Sequence, residues 1–225
     1  RMLIAERTYQ GFTAQDDLVI PTRHERVINF FARLTLAFPF KNNRIEILSE
    51  GSDFFLNLLH DIGQAQSHIH LITYIFTDDA LGRLVADALI DKAREGVEVR
   101  VIYDDVGSWE TSNRFFERLR AAGVDVVSFM PVRFPAFTGK VNYRNHRKIC
   151  VVDGKVGYIG GMNLALRYAK GGRGRDWCDT HLRVCGAVVS SLQRSFIDDW
   201  YLVDHSILRD DKYYTAPTVE PNDCL

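Results

Sequence analysis

Between residues 68 and 129, three short runs rich in β-branched residues alternate with two amphipathic stretches, and few folds satisfy that order. HIHLITYIF (68–76), VEVRVIYD (97–104) and VDVVSF (124–129) read as strands. ALGRLVADALIDKAREG, closed by Gly96, and a segment near 110–122, ended by Gly123, carry apolar residues at helical spacing. Upstream, RIEIL (44–48) predicts a strand, SDFFLNLLHDIGQAQ (52–66) a helix capped by Ser52 or Asp53, and residues 24–38 another helix. Strands alternating with helices predict an α/β fold, a mixed, largely parallel β-sheet sandwiched between helices. The 225 residues suffice for one such domain and an extension.

The extension contains VINFFARLTLAFPF (27–40), which is too short to span a bilayer and carries Arg33 and Pro39. It suits an amphipathic helix at a membrane interface and a core helix equally well. The chain opens RMLIAER, with Arg1 ahead of Met2, so upstream sequence is expected.

Composition excludes disordered and collagen-like classes, because 46% hydrophobic and 25% charged residues are ordinary for a folded chain. The net charge of -1 hides an asymmetry: residues 133–175 hold ten Lys or Arg against one acid, Asp153. Anion affinity is therefore expected there, and no nucleic-acid partner is expected of a chain without overall basicity. The cysteines at 150, 178, 185 and 224 lack paired spacing, which predicts a reduced compartment. Cys178, His181 and Cys185 have no second ligand pair beside them, so no metal or other cofactor is expected.

After residue 131 the pattern breaks into PVRFPAFTGKVNYRN, a loop whose length marks it as functional and which delivers the chain to His146. Next comes NHRKICVVDGKVGYIGGMN. Asp153-Gly154 between two apolar runs predicts a hairpin, since a type I′ turn needs two residues tolerant of positive φ. A two-residue loop pairs Val152 with Lys155, Lys148 with Ile159 and His146 with Gly161. Residues two apart share a strand face, so His146 and Lys148 project together, while Asp153 cannot join them directly and reads as a turn residue or salt-bridge partner.

Gly161 is expected to leave room opposite the imidazole, and Asn163 to open a short helix (163–170) whose N-terminus, with Lys148, docks a phosphate. A neutral imidazole is a competent nucleophile whose other nitrogen needs an acceptor, and Asp179 in WCDTH is the candidate. Asp78, Asp79, Asp104 and Asp105 follow predicted strands, where sites form, though helix capping accounts for the first pair equally well. The KGGRGR arginines read as a solvated loop or a lipid clamp. A strand near 178–185, a helix through Trp200 and a polar tail complete the chain.

His146, Lys148 and Asp153 form H-x-K-x4-D, and with that pattern the chain resembles the phospholipase D superfamily. Within it, YIFTDD, KAREGVEVRVIYDDVGS, NHRKICVVDGKVGYIGGMN, WCDTHLRV and LQRSFIDDW are similar to bacterial cardiolipin synthases over about residues 43–201. Many superfamily members carry serine where this chain has Gly161, and glycine is common in the cardiolipin synthase-like branch. The resemblance implies transfer of a phosphatidyl group between phosphatidylglycerol molecules through a phosphohistidine, without metal or nucleotide. Lys148 and Asn163 would hold phosphoryl oxygens, and His146 would be nucleophile or acid.

In-line displacement needs a group on each side of phosphorus, so such members join two H-x-K-x4-D motifs. This chain has one. The expected partners are anionic phospholipid, a membrane surface and a second lobe, from the same parent chain or a homodimer. The expected location is the bacterial cytoplasmic membrane. The domain reading is an N-terminal extension (1–42), a catalytic lobe (43–203) and a linker (204–225). Alternatives are a homodimeric nuclease or phosphodiesterase and a catalytically silent lobe that only binds phosphate or membrane.

Overall fold

The computed structural model describes residues 22–35, 40, 43–132, 144–170 and 179–214. Several expectations fall outside the described residues: residues 1–21, the middle of the loop before His146 (133–143), the KGGRGR arginines, Cys178 and the tail from 215. In chain order the elements are α1 (Thr22–Thr35), β1 (Asn43–Leu48), α2 (Gly51–Gln64), β2 (His68–Thr73), α3 (Ala80–Arg94), β3 (Glu98–Asp104), α4 (Asn113–Ala121), β4 (Asp125–Phe129), β5 (Ile149–Val152), β6 (Val156–Gly160), α5 (Leu166–Lys170), β7 (His181–Gly186) and α6 (Val189–Asp204). A 3-10 turn follows at Asp211–Tyr213.

The strands form one mixed sheet, ordered β1-β7-β6-β5-β2-β3-β4. Parallel pairing is confined to β2 with β3 and β3 with β4, and the other neighbours run antiparallel. The cause is local. Only α3 and α4 are long crossovers that return the chain for parallel pairing, whereas the tight turn at Asp153 permits only an antiparallel hairpin.

Helices cover both faces, as the pattern predicts. α2, α3 and α4 bury Phe54, Leu58, Val85, Leu89 and Phe116 on one side, and α6 buries Phe196, Ile197 and Trp200 on the other. Gly96 and Gly123 stop α3 and α4 at φ 90 and φ 94, a backbone region that costs any other residue strain. α2 is tied to the sheet by Asp61, which receives Arg183 Nε at 2.7 Å and Nη2 at 3.0 Å and also the Tyr158 hydroxyl. The start of the expected linker is packed rather than free, with Leu208 and Tyr213 buried in the α6-side core.

Every residue of β2 is buried, including His68 and His70. Gln193 from α6 serves both, with Oε1 3.3 Å from His68 Nε2 and Nε2 2.7 Å from His70 Nδ1. Arg100 Nη1 lies 3.2 Å from His70 Nε2 and also donates to Glu98 and the Tyr213 hydroxyl. Burial dominates both imidazoles, lowering the His68 pKa and taking that of His70 well below the ordinary 6.5.

Candidate active site

Antiparallel pairing brings the start of β5 to the edge where β2 ends. The stretch 144–148 reaches that edge as irregular chain fixed by two buried carboxylates. The Asn145 N–H donates to Asp104 at 3.3 Å and its side-chain amide to Asp199 at 2.7 Å. Arg147 Nη1 contacts both Asp199 oxygens at 2.9 Å, and the Arg147 N–H donates back to Asn145 Oδ1 at 3.1 Å. Asp104 also accepts the N–H groups of Val106 and Gly107 at 3.0 Å, and burial raises its pKa. His146, flanked by these clamps, is exposed.

Lys148 is 4% exposed. Its Nζ sits 2.9 Å from His146 Nδ1 and 3.3 Å from Nε2, and donates to the His146 carbonyl oxygen at 2.9 Å. The two side chains thus project together, as their spacing predicts. The Tyr74 ring lies beneath both, 4.6 Å from the imidazole and 5.4 Å from Nζ. Burial, then the Lys148 charge, hold the His146 pKa below 6.5, so the ring is neutral at neutral pH. Burial brings Lys148 down from 10.5 to about 8, with Asp179 opposing the shift.

The hairpin register differs from the expected one by one residue. Asp153 and Gly154 do adopt positive φ, 53 and 66, and the Lys155 N–H closes the turn on Val152 O at 2.9 Å. Val152 pairs with Val156 and Ile149 with Ile159, so Lys148 falls opposite Gly160, whose N–H points at Lys148 O, and Gly161 no longer faces His146. The side chain of Asp153 explains the slip. Its carboxylate accepts the N–H groups of Gln66, Ser67 and His68 at 2.9, 2.7 and 3.0 Å, which draws the turn outward and absorbs Lys155 into it. Asp153 therefore stands at the far end of β5 from His146, pinning the hairpin to the α2–β2 loop.

Gly161 makes room for a carboxylate instead of the imidazole. A Cβ on it would meet Asp179 Oδ1 at 1.8 Å, while one on Gly160 would meet His181 Cγ at 2.7 Å. Asp179 receives the Thr180 N–H at 2.8 Å, and among the described residues no hydrogen bond joins it to His146. Lys148, not Asp179, contacts the ring, and Asp179 acts on both groups through its charge.

Asn163 does not open a helix. α5 begins at Leu166 and has five residues, and the Leu166 N–H is taken by Asp79 at 2.8 Å, which removes the expected phosphate dock at that terminus. Asn163 is buried, accepting the Ile75 N–H at 3.0 Å and donating to the Tyr168 hydroxyl. Asp79 caps α3 through Leu81 and Gly82 N–H, the capping role weighed for it. Asp78 pairs with Arg83, and Asp105 holds the Val132 N–H at 2.7 Å.

Sequence reasoning missed Tyr74, the Asn145–Asp199 clamp and His181. Tyr74 follows β2 directly, and a residue just past a strand that ends at the site is the available signal. Asn145 and Asp199 are 54 residues apart, so only the fold joins them. His181 is 1% exposed, stacks on Phe54 at 4.2 Å and has no partner for Nδ1 among the described residues. Burial, with the Lys148 charge, lowers its pKa to about 3.

Residues 58–200 match the family described as "Cardiolipin synthase, PLD-like domain". A cardiolipin synthase from Alkalihalophilus pseudofirmus is 44% identical over 184 residues, which cover 79% of this chain and 35% of that protein. The chain thus spans about a third of the length of the curated relatives it matches. Among solved structures, Nuc from Salmonella typhimurium, a phospholipase D family member, aligns with a TM-score of 0.53 at 18% identity, covering 75% of this chain and 98% of Nuc. A phosphatidylserine synthase from Haemophilus influenzae aligns at 0.53 and 16% identity, covering 80% of this chain and 41% of that one. The two structures share the fold, and the sequence match adds the lineage: the chain belongs to the phospholipase D-like domain family of the cardiolipin synthases.

Proposed function

We propose that this chain supplies one half of a phosphatidyltransferase site, the other half coming from a second H-x-K-x4-D lobe of a longer parent protein. The observation that carries this reading is the contact of Lys148 Nζ with the His146 ring, 2.9 Å from Nδ1, at an open sheet edge. The substrate is anionic phospholipid, phosphatidylglycerol, reached at the cytoplasmic membrane of a bacterium.

His146 serves as nucleophile or as proton donor, and the opposing imidazole takes the other role. A neutral ring nitrogen attacks phosphorus, the phosphorus–nitrogen bond forms, and the bond to glycerol breaks as its oxygen takes a proton from the opposing imidazole. That imidazole then removes the proton from a hydroxyl of a second phosphatidylglycerol, whose oxygen displaces nitrogen and yields cardiolipin. Lys148 turns from the ring to the phosphoryl oxygens when they arrive, since they are stronger acceptors than a ring nitrogen. Asp179 steadies the positive charge on Lys148 and on His146 when it is protonated. Asn163, Gly161 and Asp153 act through the framework: Asn163 holds the Ile75 backbone and Tyr168, Gly161 admits the Asp179 carboxylate, and Asp153 sets the hairpin.

The test is incubation of the complete parent protein with phosphatidylglycerol vesicles, which should release glycerol and form cardiolipin. Well-folded protein giving neither product defeats the reading. Salt-sensitive DNA cleavage by the 225-residue chain alone would favour the nuclease instead.

A further inference from the structure

The outer helix α1 is amphipathic in a way the catalytic lobe does not use. Val27 is 57% exposed and Phe30 61% exposed, and Phe31, edge-on to Phe30 at 5.5 Å, is 51% exposed. Positions 27, 30 and 31 follow the i, i+3, i+4 spacing of a single helical face. Elsewhere the large aromatic side chains of the amphipathic helices, Phe54, Phe116 and Phe196, are turned into the core. The sequence leaves open whether this segment is a core helix, and among the described residues Val27, Phe30 and Phe31 are not buried.

Charge identifies the occupant of this face. Arg26, exposed, falls on the border of the row beside Phe30, and the sequence repeats an arginine seven positions on, at 33. The one acid, Glu25, falls on the opposite side of the helix. A protein core would not select a basic border on an apolar stripe, whereas an anionic lipid surface does: headgroups meet the guanidinium groups while aromatic rings enter the acyl boundary. The 14 described residues extend about 21 Å, short of the roughly 30 Å hydrocarbon layer, a length that suits lying in the interface and not crossing it.

We infer that α1 is a membrane-docking element, which lays Val27, Phe30 and Phe31 into the surface of an anionic phospholipid bilayer with Arg26 at the headgroups. This rests on the proposed function for its choice of lipid as the partner, and deepens it by naming the surface that meets the lipid.

The experiment is co-sedimentation of the 225-residue chain with vesicles of phosphatidylcholine alone and of phosphatidylcholine mixed with phosphatidylglycerol. Binding is expected to the mixed vesicles and to weaken with added salt. The double variant V27S/F30S should bind at least about tenfold more weakly with an unchanged melting temperature, since both positions are exposed. R26E/R33E should abolish the preference for the anionic vesicles. Wild-type binding by V27S/F30S, or no binding to anionic vesicles by the unaltered chain, overturns the inference. So does light scattering that shows a dimer dissolved by V27S/F30S while vesicle binding persists. The two readings fail separately: a parent protein that makes no cardiolipin, together with a chain that still docks through α1, removes the function and keeps the docking element. Cardiolipin formed in detergent micelles by a parent protein that ignores vesicles does the reverse.

Discussion

Asp179 lies so close over Gly161 that a Cβ there would sit 1.8 Å from Oδ1. The glycine is thus a steric requirement of the carboxylate, and among the described residues that carboxylate is the one acid whose charge acts on both His146 and Lys148. Alanine at 161 must push Asp179 outward. Displacements near an ångström at reacting groups cost up to about 100-fold in rate, so G161A in the parent protein is expected to lose about ten- to 100-fold in kcat with a small loss of stability. Steady-state kinetics beside a thermal melt check this, and an unchanged kcat would show that Asp179 does not act on the site.

The pH profile follows from the two lowered pKa values. In its proposed role Lys148 holds phosphoryl oxygens as a cation, so with a pKa of about 8 activity should fall as pH rises through that value. In the proposed role of nucleophile His146 attacks as a neutral ring, and its pKa below 6.5 confines the acid limb to lower pH. The expected curve is bell-shaped. Lys148→Arg keeps the charge at all accessible pH and should remove the alkaline limb even if its rate is lower. An alkaline limb that persists in Lys148→Arg belongs to another group.

Asp153 is expected to matter for stability more than for chemistry. Its carboxylate accepts three backbone N–H groups of the α2–β2 loop. Asp153→Ala leaves them without that acceptor and should cost about 2–3 kcal/mol, read as a lower urea midpoint. Activity per folded molecule should stay within a few-fold of wild type. A stable Asp153→Ala protein without activity would place this side chain in the reaction.

These residues also show what the sequence could disclose. The alternation of strands and helices from 68 to 129 carries the α/β layers, and Asp153-Gly154 carries the turn, because both depend on neighbours in the chain. The register could not be read, since it is set by hydrogen bonds between Asp153 and residues 66–68, 85 to 87 positions away in sequence. The pairing of His146 with Lys148 was legible from i, i+2 geometry. The Asn145–Asp199 clamp was not, nor was the partner of Gly161, for the same reason: the side chain that fills this glycine gap, Asp179, comes from the segment leading into β7, not from the hairpin itself.

Acid sensitivity should come from three buried imidazoles. His68 and His70 have folded-state pKa values below the 6.5 of the unfolded chain, and His181 at about 3 behaves likewise. As pH falls, the unfolded state binds protons first, so the stability these rings contribute is complete above about 6.5 and declines below it. Urea midpoints at neutral pH and near pH 5 should show the decline, and His70→Gln should flatten it. A midpoint that does not move over this interval would mean that the rings titrate alike in both states.

The central claim is that His146 takes part directly in phosphoryl transfer beside Lys148. Its most direct test is cardiolipin formation by His146→Ala in the complete parent protein, with the melting temperature measured on the same sample. Because the ring is exposed and the backbone around it is held by Asn145 and Arg147, the fold should be unaffected. Turnover is expected to fall at least about 1,000-fold at an unchanged melting temperature. Turnover within a few-fold of wild type would contradict it.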